Sequence, residues 1–86
     1  AEKMDKILVR IYVPALERSF DMLFPALSQM REVLELVERA VTELSDGRFI
    51  ASEDTTFCYR DDGSIVDINK SVCELGIHNG SQLMLI

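Results

Sequence analysis

From Ile7 to Val13 apolar positions recur with period two, placing Ile7, Val9, Ile11 and Val13 on one face and Leu8, Arg10 and Tyr12 on the other. That alternation predicts a half-buried β-strand. Pro14 cannot donate to a sheet ladder, and a second alternation opens at Ser19 and runs to Phe24, so an N-terminal β-hairpin is expected. The intervening segment has no Asn-Gly or Asp-Gly pair, which predicts a longer, irregular connection rather than a two-residue turn.

After Leu27 the spacing changes. Leu27, Met30, Val33, Leu34, Val37, Val41 and Leu44 recur at intervals of three and four, while Arg31, Glu32, Glu35, Glu38, Arg39 and Glu43 fall between them. This is the pattern of an amphipathic helix of about four turns. Ser28 is the expected N-cap and Gly47 the expected terminator. Thr55 to Arg60 has strand chemistry again, Asp61-Asp62-Gly63-Ser64 supplies a turn, and Ile65-Val66 returns as a short apolar pair. Ser71 to Leu75 is read as one helical turn ended at Gly76, and Gly80-Ser81 as the turn into a last strand, Gln82 to Ile86. The order is ββαββ with a short helical turn. Elements with one apolar side each share a core when the helix crosses one face of a mixed sheet, with the first and last strands as central neighbours. The predicted class is therefore α+β.

Composition narrows the picture. The 86 residues, 48% hydrophobic and 28% charged, suit one globular domain over residues 1–86 that buries about 60 to 65% of its unfolded surface. Residues 1–5 are expected to be flexible or foreign to the domain proper. The net charge of −6 comes from 15 acidic and 9 basic side chains with no Lys/Arg block, so a phosphate-tracking surface for nucleic acid has no electrostatic basis. Lys3, Asp5, Lys6 and Arg10 interrupt the N-terminal apolar residues, and no uncharged run approaches the ~20 residues of a membrane span. A cytoplasmic protein without direct membrane insertion is expected. Cys58 and Cys73 form neither a redox pair nor half of a zinc site, and two reduced thiols are the simplest expectation.

The closing run resembles the ubiquitin-like (β-grasp) pattern Leu-x-Ile-x-x-Gly/Glu-Ser-x-Leu-x-Leu, filled by Leu75, Ile77, Gly80, Ser81, Leu83 and Leu85. Within that fold, Asp62-Gly63-Ser64 followed by Cys73 to Gly80 is similar to the bacterial YukD/EsaB family and to related N-terminal domains of type VII (WXG100) secretion membrane components. The resemblance implies a β-grasp fold and a non-conjugated protein-interaction module, an accessory to type VII secretion or the N-terminal cytosolic domain of a larger secretion membrane protein. Each matching residue also has an ordinary packing or turn-forming role. They therefore specify fold, and function has to come from the surface.

Catalysis is not expected. Two cysteines are too few for an iron–sulfur cluster, and His78, the only histidine, lies in a turn. With no glycine after the last strand, conjugation or sulfur carriage through a Gly-Gly tail is not expected either. Glu32, Glu35 and Glu38 read as a solvated helix face with ordinary carboxyl pKa values. Asp61-Asp62-Gly63 lacks the ligand spacing of a calcium loop. No catalytic, cofactor-binding or metal-ligating residue is assigned, and no cofactor. The candidate binding face is the side of the sheet away from the helix, where alternation points Leu8, Arg10, Tyr12, Cys58, Met84 and Ile86. An aromatic, a methionine and aliphatics around a cation are what protein recognition favours. Such a face can also pair with a second copy of the chain. An alternative is an acidic face at Asp61 and Asp62, similar to that of PB1 domains, which are ubiquitin-like adaptors pairing acidic with basic surfaces.

Overall fold

A computed structural model describes residues 5–86. The expectation for the N-terminal residues lies outside that range except at Asp5, whose carbonyl accepts from the Ala26 N–H at 2.9 Å. Strands β1 (Lys6–Val13) and β2 (Arg18–Pro25) form the first hairpin, helix α1 (Met30–Leu44) follows, and β3 (Phe57–Tyr59) and β4 (Ser81–Leu85) complete the chain. The sheet order is β2-β1-β4-β3. β1 runs antiparallel to β2 and parallel to β4, with Ile11 opposite both Phe20 and Leu83. The first and last strands are thus the central pair of a mixed sheet, as the one-sided apolar pattern requires.

The helix-facing side of the sheet supplies Val9, Ile11, Val13, Phe57, Leu83 and Leu85, and α1 answers with Met30, Val33, Leu34, Val37 and Val41. Phe24 of β2 and Phe57 of β3 meet at 5.9 Å between ring centroids. Val72 and Ile77 close the core from the loop before β4. The alternation that marks β1 in the sequence is therefore the alternation between core and open face.

Helix α1 departs from expectation at both ends. Gln29, not Ser28, occupies the cap position, with extended backbone and no side-chain cap bond. The first free donors are satisfied across the fold: Met30 N–H donates to the Lys70 carbonyl at 2.9 Å and Arg31 N–H to that of Ile68 at 3.0 Å. A long-range backbone pairing has replaced the local cap. At the other end Asp46 N–H donates to Glu43 O and Gly47 N–H to Thr42 O, the two bonds of a Schellman ending. Here Asp46 takes the first left-handed position, at φ 54°, with Gly47 following at φ 80°. Leu27 and Leu44 are exposed rather than part of the buried stripe, because Leu27 precedes the helix and Leu44 is its last residue.

The second hairpin is reduced. β3 is three residues long, and its partner beyond the Gly63 turn is the single bridge from Cys58 to Ile65. Ser71 to Gly76 forms hydrogen-bonded turns, Leu75 N–H to Ser71 O at 3.2 Å among them, and no full helix. Gly80 then enters β4 at φ 92° while its N–H donates to Leu8 O at 2.9 Å. A Cβ there would meet no atom within 4 Å, so Gly80→Ala is expected to lose stability through backbone strain alone, about 1–2 kcal/mol. Thermal melting of the variant reads this directly.

Candidate functional site

Because Val9, Ile11 and Val13 are turned into the core, Leu8, Arg10 and Tyr12 stand on the opposite, open face of the sheet. Register then brings the other residues of that face into rows. Tyr12 lies opposite Ser19 on one side and Met84 on the other, Met84 opposite Cys58, and Cys58 opposite Ile65. One row across the sheet is therefore Ser19, Tyr12, Met84, Cys58 and Ile65. The adjacent row carries Asp21, Arg10 and Gln82, with Arg60 N–H donating to the Gln82 carbonyl at 3.3 Å.

Of the residues expected on this face, Leu8 is 45% exposed and Ile86 52% exposed, and Tyr12 and Met84 are half-buried. Cys58 is 2% exposed. It forms the floor between Met84 and Ile65 rather than a surface that a partner touches. Ile65, 71% exposed, takes the outer position in that row; its sequence neighbourhood identifies it only as part of a return strand.

Arg10 is held by Asp21, Nε donating to Oδ1 at 3.0 Å and Nη2 to Oδ2 at 3.5 Å. The hydrogen bond to the carboxylate, followed by its charge, raises the pKa of Arg10, and the same bond lowers that of Asp21. Arg60 is placed differently. Its guanidinium lies over the Tyr12 ring, 4.4 Å from the centroid, and among the described residues it makes no ion pair. Sequence reasoning misses this stacking, although Arg60 shares the parity of Cys58, because the residue sits at the edge of the Asp61 turn.

Of the two carboxylates of the alternative acidic face, Asp62 is engaged within its own turn and Asp61 is exposed. Asp62 Oδ1 accepts from the Ser64 N–H at 2.9 Å and the Ser64 hydroxyl at 2.7 Å, and these bonds hold its carboxyl below the ordinary value of 3.8. A carboxyl lowered by folding adds stability above its unfolded value and loses it as pH falls through the folded one. The advantage of the native chain over Asp62→Ala is expected to be full above about pH 3.8 and to shrink below it, as melting temperatures across a pH series would show. Asp61 is exposed and lines a cleft of about 300 Å³ with Tyr59, Ile77 and His78.

On α1, Glu38 is half-buried, and burial, aided by Glu35, raises its pKa. The ordinary value expected for Glu38 from a solvated face therefore fails. A separate apolar groove lies between β2 and α1, lined by Met22, Leu23, Phe24 and Leu36 among others. Cys58 and Cys73 are free thiols. Among the described residues no buried side-chain polar atom lacks a partner, and no three metal-ligating groups cluster. No helix among them is long and apolar enough to cross a membrane.

No family model and no curated protein sequence matches the chain. Solved structures do. The ubiquitin-like domain of the Mycobacterium tuberculosis type VII secretion protein EccD1 superposes with a TM-score of 0.76 at 20% identity, covering 96% of this chain and 99% of that one. The EccD5 ubiquitin-like domain from Mycobacterium xenopi gives 0.67 at 19% identity, over 95% and 93% of the two chains. A chain of the MycP5-free ESX-5 inner membrane complex gives 0.66 at 17% identity, over 94% of this chain and 20% of that one. At these identities the likeness shows the fold: a ubiquitin-like β-grasp, as the closing run of the sequence implied.

Proposed function

We propose that the chain is a non-conjugated, non-enzymatic ubiquitin-like module of type VII secretion that works in the cytoplasm by docking the open face of its sheet onto a protein partner. The observation that carries the docking is the row in which Tyr12, Met84 and Ile65 share one face, with Leu8 and Ile86 exposed at its margins. Apolar side chains gathered around cations are the composition of protein interfaces rather than of substrate clefts. What supports the secretion setting is the backbone likeness to EccD ubiquitin-like domains over almost the whole chain.

A second reading keeps the module and changes its context: it is one part of a longer secretion membrane protein. The chain's coverage of only 20% of the ESX-5 complex chain it resembles favours this. The resemblance of the sequence to the YukD/EsaB family supports the first reading, in which the module is an accessory in its own right.

The test is cross-linking in the source cells followed by purification of the tagged chain. Recovery of type VII secretion components, lost with Tyr12→Asp, is the expected result. Recovery of none, with the chain intact and folded, would contradict the secretion assignment.

A further inference from the structure

Charge is unevenly distributed over the molecule. Between Met30 and Asp54, the helix and the loop that follows, seven side chains are acidic and three basic. On the open face of the sheet the balance reverses. By strand parity Lys6, Arg10 and Arg60 belong to it against Asp21 alone. The two guanidiniums are not equivalent. Arg10 is already occupied by the Asp21 carboxylate at 3.0 Å, while the Arg60 guanidinium lies over the ring of Tyr12, 4.4 Å from its centroid, and forms no ion pair among the described residues. A guanidinium held by an aromatic ring instead of by a carboxylate keeps its N–H donors for a carboxylate that arrives later. It also fixes the side chain before a partner arrives, so less conformational freedom is lost on binding. Of the nearby carboxylates, Asp62 is turned onto Ser64, and Asp61 lines the cleft with Tyr59, Ile77 and the open-face residue Gln82.

We infer that the docking face takes an acidic-apolar polypeptide segment, whose aliphatic or aromatic side chains lie along Tyr12, Met84 and Ile65 while one of its carboxylates is received by the edge of the Arg60 guanidinium. The inference rests on the docking proposed above and adds the chemistry of the partner. A basic segment is disfavoured by the same arrangement, because it would bring cations against Arg60 and Lys6, and like charges set against one another are how interfaces reject wrong partners.

A random library of sixteen-residue peptides displayed on phage is the probe, selected in parallel on the native 86-residue chain and on Arg60→Glu, Arg60→Lys and Tyr12→Asp, each first shown to melt cooperatively. The native chain is expected to enrich sequences that set Asp or Glu beside Leu, Ile or Phe. Synthetic copies should bind Arg60→Glu roughly fivefold to tenfold more weakly, with salt weakening the native complex in the same direction. Arg60→Lys, which keeps the charge without the fork, should fall between. Selection on Arg60→Glu should instead enrich basic sequences.

Peptides that lose binding to Tyr12→Asp, show no acidic preference and bind Arg60→Glu as well as the native chain would overturn the inference and leave the docking face standing. Peptides indifferent to both positions, or no enrichment at all, would remove the docking face and the inference together.

Discussion

Phe57→Ala is expected to leave the domain close to unfolding. Phe57 has no exposed surface and packs against Phe24, so its ring helps join the two edge strands over the core. Removing a buried phenylalanine side chain costs about 3–5 kcal/mol in lost transfer energy and cavity. Against a total of about 4 to 13 kcal/mol for a chain of this length, that is a large share. Melting temperature should fall by about 12 °C or more. Phe57→Leu keeps most of the volume and should cost about 1 kcal/mol. If both variants melt within a few degrees of the native chain, β3 is not anchored in the core as described.

The double substitution Tyr12→Asp and Met84→Asp is expected to do the reverse, removing binding while sparing the fold. Both residues are opposite one another in β1 and β4 and both are only half-buried, so each change should cost about 1 kcal/mol of stability through strand preference and packing. On the open face the effect is larger. Two carboxylates placed at the centre of an apolar row must be desolvated when a partner docks, and without the tyrosine ring Arg60 loses the surface on which it stacks. Loss of a central aromatic contact commonly costs about 2 kcal/mol or more, roughly thirtyfold in affinity. Calorimetric titration of the captured partner, paired with thermal melts, separates the two effects. Weakened binding with a matching collapse in stability would mean that these side chains hold the fold instead.

Much of this was legible from residue order because the informative patterns were local. Period two in Ile7 to Val13 distinguishes the core face from the open one, and the spacing from Met30 to Val41 gives the helix its buried stripe. The features that escaped depend on distant parts of the chain. Ser28 has the chemistry of a cap, yet the helix is capped by carbonyls of Ile68 and Lys70, a pairing no local window contains. Cys58 has the right parity for the open face, but its bridge to Ile65 and pairing with Met84 enclose it. Arg60 reaches Tyr12 only because β4 sets β1 and β3 within a side chain's length of each other. The candidate face was thus readable as a parity, while its division into floor, rim and cation required the register.

Backbone amide NMR of the isotopically labelled chain, titrated with its captured partner, reads out whether the open face of the sheet is the working surface. The largest shifts and line broadening are expected on Leu8, Arg10, Tyr12, Arg60, Gln82 and Met84, with the exposed helix residues Glu32, Glu35 and Arg39 unmoved. Perturbation confined to α1 or to the groove it forms with β2, leaving Tyr12 and Met84 unchanged, would contradict that role.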